Sequence, residues 1–394
     1  MGETLRHITT AERRARLAVR HRLAGTARAA SPEEVARSLV ALHGTDPATV
    51  YLAVGARLAD AARTVPETER ALYEDRALVR MHGMRHTVFV FPAELTAVVH
   101  ASTGLTVAAR ERAALLQHMA AAGAPDAAWL KEVEESTLAA LGRLGQATAA
   151  ELAVEEPRLR EQFVYAAGKR YEGVHTVSTR LLKVLGVEGK VVRGRPLGSW
   201  TSSRFRWALA PRHPELDPAE ARAALLRHWL TACGPATEAD LKWWTGWRVT
   251  DVRRALTAIG ARPVSLDAGT GYVAEGDEDA VAGPGEPWAA LLPALDPTAM
   301  AWQERDWYLA PELRAALFDR SGNVGPTVWW NGRVVGGWAQ RADGEVVWRL
   351  LDTRDVGRDA EAAIASEAGR LRGWAGATRV TPRFRTPLER ELTA

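Results

Sequence analysis

The stretch HTVSTRLLKVLGVEGKVVRGRP, residues 175–196, indicates a helix that stops near Gly186 and is followed by a β-rich run. The stretch RVTDVRRALTAIGARPVSLDAG, residues 248–269, has the same order, with Gly260 in the corresponding place. Glycine often ends a helix because it adopts positive φ without strain. Two copies of this order in one chain predict a repeated unit of helix and paired strands.

Upstream of both copies lies a helix-like segment, a glycine and a capping-box pattern, and a third such pattern lies near the N-terminus. The paired residues are Ser31 with Glu34, Thr148 with Glu151, and Thr237 with Asp240. A helix, a short turn and a capped second helix open a helix-turn-helix motif. A third helix and a β-hairpin then complete the order of a winged helix.

We therefore predict an α+β fold with three tandem winged helix-turn-helix units and a β-barrel-like C-terminal unit. The segments are unit 1 at 1–92, a helical connector at 93–124, unit 2 at 125–208, unit 3 at 215–280, and a β-rich unit with a C-terminal helix at 281–394. In the more divergent unit 1, strands at 77–82 and 86–91 are expected to meet in a tight turn at Gly83. An unrelated α+β fold is the alternative, because capping boxes occur in any helical protein.

The composition is that of an ordinary soluble protein. The 394 residues are 47% hydrophobic and 25% charged, and the formal charge of +3 is small for a dedicated nucleic-acid binder. Cys233 is the single cysteine, which excludes an intramolecular disulfide and a cysteine metal site. The N-terminal sequence has no secretory apolar region. We expect a cytoplasmic monomer with no metal, no cofactor and no membrane partner.

Four stretches resemble one known family, the AlkZ-like winged-helix DNA glycosylases. They are LHGTDPATVYLAVGARL at 42–58, MRHTVFVFP at 84–92, LLPALDPTAMAWQERDWYL at 291–309, and GNVGPTVWWNGRVVGGW at 322–338. The resemblance implies a C-shaped protein with a basic concave face that binds double-stranded DNA. It also implies a monofunctional glycosylase that removes bulky or crosslinked N7-alkylated purines, in repair or in self-resistance to alkylating natural products. The alternative is a non-catalytic winged-helix DNA-binding protein or regulator.

The catalytic motif of that family is a glutamine, a small or apolar residue, and a glutamine or aspartate before a DP-like turn. Here His43, Gly44 and Thr45 stand at those positions, before Asp46 and Pro47. The chain therefore departs from the motif at both polar positions.

The resemblance makes His43, Thr45 and Asp46 the candidate catalytic residues. N7-alkylation already gives the purine a positive charge, so the protein needs chiefly to position a water at C1′. Neutral His43 could accept a proton from that water, the Thr45 hydroxyl could hold it, and Asp46 could act as the base or oppose the developing cation. In the alternative, His43 ends a helix and Asp46 caps the next one before Pro47.

Basic side chains interleaved with hydroxyls predict where DNA is bound. The candidates are Arg85, His86, Ser178, Arg180, Lys190, Arg193, Arg195, Ser202, Ser203 and Arg204. We expect the arginines and the lysine of unit 2 to share one face with His43, although scattered charges are often only solvated. The cluster Trp243, Trp244 and Trp247 is expected on a helix and packed in the core or at the barrel interface.

Overall fold

The computed structural model describes residues 5–170 and 172–394. Residues 1–4 of predicted unit 1 and Tyr171 of predicted unit 2 lie outside the described residues. Helices make up 47% and strands 18%, with the strands in small antiparallel sheets. This mixture confirms the predicted α+β class. No helix among the described residues is long and apolar enough to cross a membrane.

The first segment consists of helices that lead into a three-stranded sheet. Its elements are α1 (Thr10–Arg20), α2 (Pro32–Leu39), β1 (Leu42–His43), α3 (Pro47–Gly55), α4 (Thr64–Glu69), β2 (Leu78–His82) and β3 (Val88–Pro92). The strand order is β1-β3-β2. The predicted hairpin strands are correct to within two residues. The predicted tight turn is wrong, because the Gly83 N–H reaches the Thr87 carbonyl at 2.8 Å and closes a longer loop.

The second segment adds a hairpin that the sequence pattern did not predict. Its elements, with the connector helices before them, are α5 (Thr96–Val99), α6 (Leu105–Ala121), α7 (Ala127–Leu144), β4 (Gln146–Ala147), α8 (Ala149–Glu155), β5 (Gln162–Tyr165), β6 (Gly173–Thr176), α9 (Val177–Val187), β7 (Val191–Pro196) and β8 (Phe205–Leu209). The unpredicted hairpin is β5 with β6, before α9. The predicted stop at Gly186 is also wrong, because α9 continues to Val187 and Gly189 has the positive φ of 71°.

The third segment follows the predicted order most closely. Its elements are α10 (Pro218–Cys233), α11 (Glu238–Thr245), α12 (Val249–Ala258), β9 (Arg262–Leu266) and β10 (Gly269–Val273). Gly260, with φ of 63°, ends α12 as predicted. Strands β9 and β10 form an antiparallel hairpin.

The C-terminal segment holds an antiparallel sheet of four strands in the order β11-β12-β13-β14, with helix α14 packed on it. Its elements are β11 (Ala289–Leu292), α13 (Arg314–Leu317), β12 (Thr327–Trp330), β13 (Arg333–Gln340), β14 (Val346–Leu350), α14 (Arg358–Ala375) and α15 (Pro387–Leu392). Helix α14 lies where the sequence predicts it.

The capping boxes that the sequence pattern predicts form as hydrogen bonds in the second and third segments. Thr148 and Thr237 each accept the backbone N–H three residues on, and Glu151 and Asp240 each accept the N–H of the capping threonine. At Ser31 only half of the box forms, because the Glu34 carboxylate bonds the N–H of Ala30. These bonds satisfy helix-end donors and fix the start of the second helix of each segment.

Three large hydrophobic cores and two small ones hold the described elements together. One large core belongs to the second segment and α6, and it includes Leu152, Leu182 and Trp207. The other two large cores mix residues of the first segment with residues of the C-terminal segment, and one of them also includes α10–α12. The N-terminal part of the chain is therefore packed against the C-terminal sheet.

A fully buried ion pair joins the same two parts of the chain. Arg57 donates two hydrogen bonds, of 2.7 and 2.9 Å, to the two carboxylate oxygens of Asp296, and both side chains are 0% exposed. The guanidinium also donates to the His21 carbonyl and to the Thr298 hydroxyl. A buried charge pair is tolerated when its remaining donors are satisfied in this way.

Candidate active site

His43 is the last residue of β1 and faces Phe89 across the antiparallel pair with β3. The next residue explains why β1 approaches β3 so closely. The Gly44 N–H donates to the Val88 carbonyl at 2.8 Å, and a Cβ on Gly44 would lie only 3.2 Å from that oxygen. The need for glycine here comes from packing on β3.

The environment of His43 keeps its imidazole neutral. Burial, with smaller contributions from Arg85 and Arg80, lowers the pKa of His43 to about 4. The ring meets the edge of Phe89 at a centroid distance of 5.3 Å. The Thr45 N–H donates a long hydrogen bond of 3.5 Å to Nδ1. A neutral ring that accepts at Nδ1 carries its proton on Nε2, so Nε2 is a donor.

Thr45 contacts His43 through its backbone rather than through its hydroxyl. Its side chain is half-buried, and Thr45 does not line the cavity beside His43 in the described part of the chain. The predicted convergence of the two side chains on one water therefore requires the Thr45 hydroxyl to turn toward the cavity.

Asp46 has the geometry of a helix cap. Its Oδ1 accepts the N–H of Ala48 at 3.2 Å, at the start of α3, with Pro47 in the first turn. Its Oδ2 accepts the N–H of Arg383 at 3.0 Å. The residue is only 8% exposed. Both carboxylate oxygens are thus engaged by backbone donors, as the capping alternative requires.

Replacing Asp46 with alanine is expected to lower the free energy of unfolding by about 1–2 kcal/mol, because it removes an N-cap and a tie to the C-terminal segment. Chemical denaturation measures this change. Thr148→Ala, which removes the cap of α8 far from His43, is the matched control. If Asp46→Ala unfolds at the wild-type denaturant concentration, the capping assignment is wrong.

A cavity of about 610 Å³ opens beside His43. Three separate parts of the chain contribute to its wall. They are the β2–β3 loop with Arg85 and Thr87, helix α11 with Trp243, and the C-terminal segment with Met300, Gln303, Arg305, Arg314, Phe318, Ser321, Gly322 and Asn323. No acidic side chain of the described residues lines it.

Trp243 is a residue of this cavity that sequence reasoning did not assign to the site. It is half-buried and lines the cavity, whereas Trp244 and Trp247 are 7% and 8% exposed and belong to the core. Trp247 also lies beyond the end of α11 rather than on it. The signal was available, because Leu241 and Trp244 form the apolar stripe of α11 and Trp243 falls outside it.

The β2–β3 loop carries two of the predicted DNA-binding residues at its tip. Arg85 and His86 are exposed, and both have positive φ, at 53° and 59°. Such backbone angles are uncommon for residues other than glycine and persist where the surroundings enforce them. The Arg85 guanidinium lies 4.2 Å from the Trp243 ring centroid, and His86 contacts Glu111 at 2.9 Å.

Several predicted DNA-binding cations already have partners within the protein. Lys190 pairs with Glu134 and Glu188, and Arg195 pairs with Glu69 and Glu74. Exposed pairs of this kind contribute little to stability, but they reduce the charge that is available to DNA.

Two further arginines of the predicted unit 2 group stack on aromatic rings. Arg180 lies 3.5 Å from the centroid of Tyr165, and Arg193 lies 4.5 Å from that of Phe205. Burial, with Arg80 and Arg383 nearby, lowers the pKa of Arg193 to about 10.

Arg204 differs from these cations. It is exposed and forms no ion pair with any described residue, while its backbone N–H donates to Ser202. Ser203 beside it is exposed as well, whereas Ser178 is buried and bonds the Thr176 hydroxyl. Arg204 and Ser203 are therefore the most accessible of the predicted group in unit 2.

None of the unit 2 cations lines the His43 cavity. Arg193 lines a different, largely apolar cavity of about 390 Å³, together with Arg80. Arg80 in turn donates to the Gly44 carbonyl. The structure thus brings Arg85 to the His43 cavity. The β7–β8 hairpin, which carries Arg193, borders the second cavity instead.

Comparison with known proteins gives one family and one fold. The family model described as DNA glycosylase AlkZ-like matches residues 36–374. The solved structure of the Streptomyces sahachiroi DNA glycosylase AlkZ is similar with a TM-score of 0.71 and 21% identity, over 96% of this chain and 99% of that chain. No curated protein sequence matches the chain significantly.

Proposed function

The chain belongs to the AlkZ-like DNA glycosylase family, and from this premise we propose that it hydrolyses the N-glycosidic bond of N7-alkylated purines in DNA, including bulky or crosslinked ones. It acts as a monomeric, monofunctional enzyme in repair or in resistance to alkylating natural products. Water attacks C1′, the bond from C1′ to N9 breaks, and the alkylated purine leaves as a neutral base. The product is an abasic site.

The observation that carries this proposal is the neutral His43 at a cavity that no acidic side chain of the described residues lines. An N7-alkylated purine needs no acid to leave, so a neutral group that positions water is sufficient. His43, with its pKa near 4, stays neutral at physiological pH. Its Nε2–H can hold the water oxygen, in the way that the neutral glutamine amides of the family motif suggest. The water proton passes to solvent.

Thr45 and Asp46 have smaller parts in this scheme. Thr45 orients the His43 ring through its backbone N–H, and its hydroxyl adds a contact to the water. Asp46 fixes the start of α3, and so keeps the backbone of residues 43–46 in place, through its two backbone hydrogen bonds. The carboxylate is not the base in this mechanism because both of its oxygens are occupied.

We place the DNA along three winged-helix units. Each segment has a helix followed by a capped second helix, and the second and third segments add a third helix with a hairpin, α9 with β7–β8 and α12 with β9–β10. Third helices and wings are the elements that contact DNA in such units. Exposed Arg204 on the β7–β8 loop contacts a phosphate.

The deciding experiment is an excision assay on duplex oligonucleotides that carry one N7-methylguanine, one bulky N7 adduct or one N7 crosslink. Abasic sites are scored by alkali cleavage. Without alkali, the DNA strand that contains the abasic site should remain uncut. Borohydride should trap no enzyme on the DNA, since a monofunctional enzyme makes no covalent intermediate. Binding to DNA with no abasic product on any of the three substrates would favour a non-catalytic DNA-binding protein.

Arg204→Gln is expected to reduce the slope of log affinity against log salt by about 1, because one phosphate contact is lost with its released counterion. Arg195→Gln is the matched control and should change the slope less, since Glu69 and Glu74 already neutralise Arg195. Fluorescence anisotropy with undamaged duplex between about 50 and 200 mM salt measures both slopes. Equal slopes for Arg204→Gln and wild type would remove this loop from the DNA interface.

A further inference from the structure

Two arginines in the wall of the His43 cavity have no carboxylate partner. Arg85 and Arg305 form no ion pair with any described residue, although Arg305 is only 8% exposed. Among the four other described arginines that are this deeply buried, two are paired with carboxylates, as Arg57 is with Asp296, and two are not. A buried guanidinium without a counter-charge is unfavourable, and a bound anion would relieve it.

Trp243 holds the two cations at the same place. The guanidinium carbon of Arg85 lies 4.2 Å from the ring centroid, and that of Arg305 lies 5.3 Å from it. Arg305 also lies 5.4 Å from the centroid of Phe318. Stacking restrains both guanidinium planes and leaves their N–H edges free to donate.

The backbone around Arg85 is built to keep it there. Arg85 itself has φ of 53°, and Gly246, with φ of 72°, lies directly under its side chain. A Cβ on Gly246 would come within 3.0 Å of the Arg85 Cγ. A third arginine of the wall, Arg314, is neutralised by Asp306, so the free positive charge is confined to Arg85 and Arg305.

We propose that Arg85 and Arg305 bind one backbone phosphate of the damaged strand, next to the nucleotide whose sugar faces His43. This assignment rests on the proposed function and adds the group that the cavity takes. Paired guanidinium forks suit the oxygens of a phosphodiester.

The charge of the cavity decides between a phosphate and the damaged base. An N7-alkylated purine is cationic, and like charges repel strongly where water is scarce. Two unpaired arginines therefore disfavour the base and favour the backbone. The cavity holds the strand at the lesion and leaves the alkylated base outside its wall.

A phosphate scan tests this site. In a duplex with one N7-methylguanine, each of the three phosphates on either side is replaced in turn by a neutral methylphosphonate. Wild type should lose about tenfold to a hundredfold in affinity at one position, the range for a charge-assisted contact. In Arg305→Gln and in Arg85→Gln, the same replacement should change affinity by less than about twofold, because the contact is already absent.

Arg320→Gln is the matched control, because Arg320 is exposed in the same region and does not line the cavity. It should keep the full sensitivity of wild type to the single methylphosphonate. Arg85 is exposed, so Arg85→Gln should fold normally even if Arg305→Gln melts early. The proposal is overturned if no single position matters in wild type, or if Arg85→Gln keeps the wild-type sensitivity.

The phosphate site and the proposed activity are tested by different measurements. Affinity is measured by fluorescence anisotropy and does not require excision of the base. If Arg85→Gln loses the sensitivity to the single methylphosphonate while wild type yields no abasic product on any substrate, the phosphate site is supported and the glycosylase is refuted. If wild type yields abasic product while Arg85→Gln keeps the full sensitivity to the methylphosphonate, the glycosylase is supported and the phosphate site is refuted.

Discussion

His43→Ala is expected to lower excision of an N7-alkylated guanine by about 10²-fold or more, the usual contribution of a positioned acid, base or water-holding group. DNA affinity should change little, because charged side chains bind the DNA backbone and neutral His43 adds no charge to them. The rate of the wild-type enzyme should be flat between pH 8 and about pH 5. It should fall only as the pH drops through about 4, because protonation of His43 breaks the bond that Nδ1 accepts from the Thr45 N–H and places a positive charge beside the developing cation. The reference pKa of histidine alone would place that fall below about pH 6.

Two variants control this measurement. His43→Gln restores the family residue and should keep activity within about tenfold of wild type, since a neutral amide also positions water. Thr45→Ala should lose at most about tenfold, the value of one neutral hydrogen bond. Single-turnover excision, with an enzyme-free sample at each pH to subtract acid depurination, measures the effects. If His43→Ala excises normally while Asp46→Asn is inactive, the carboxylate is the base and the water-positioning role of His43 is wrong.

Arg57→Leu is expected to lower the free energy of unfolding by about 3–5 kcal/mol, because it leaves the Asp296 carboxylate buried without its partner. Adding Asp296→Leu to the same chain should recover a large part of that loss, since the double variant buries no unpaired charge. Urea denaturation followed by far-UV circular dichroism and tryptophan fluorescence measures both effects.

The control is Arg143→Leu, which breaks an exposed ion pair with Glu155. That change should lower stability by no more than about 1 kcal/mol. A loss for Arg57→Leu as small as that of Arg143→Leu would show that the buried pair is not a major tie between the first and C-terminal segments.

Local chemistry predicted much of the fold. The bonds at Thr148 and Thr237 are set by residues three apart, so the sequence pattern identified them directly. The glycine that ends α12 and the β2–β3 hairpin were found for the same reason. The α9 end was missed because Gly186 is tolerated inside the helix and Gly189 provides the left-handed turn.

The candidate site was predicted only in part, because its electrostatics depend on distant residues. Arg195 meets Glu69 and Glu74, which are more than 100 residues away, and no local pattern reveals such a pair. The walls of the His43 cavity come from three separate segments for the same reason. The sequence located His43 and Arg85 but gave no means to bring Trp243 and Arg305 beside them.

The hydrogen bond from the Arg383 N–H to the Asp46 carboxylate has a consequence for biosynthesis. The two residues are 337 positions apart, so at common translation speeds roughly 20 to 70 s separate their emergence from the ribosome. During that interval the nascent chain has residues 43–46 but lacks the last backbone donor that fixes them, and until Arg305 is made it also lacks most of the cavity wall. The candidate site therefore cannot form on a partly synthesised chain. Any glycosidic-bond hydrolysis begins only after the C-terminal segment has been translated.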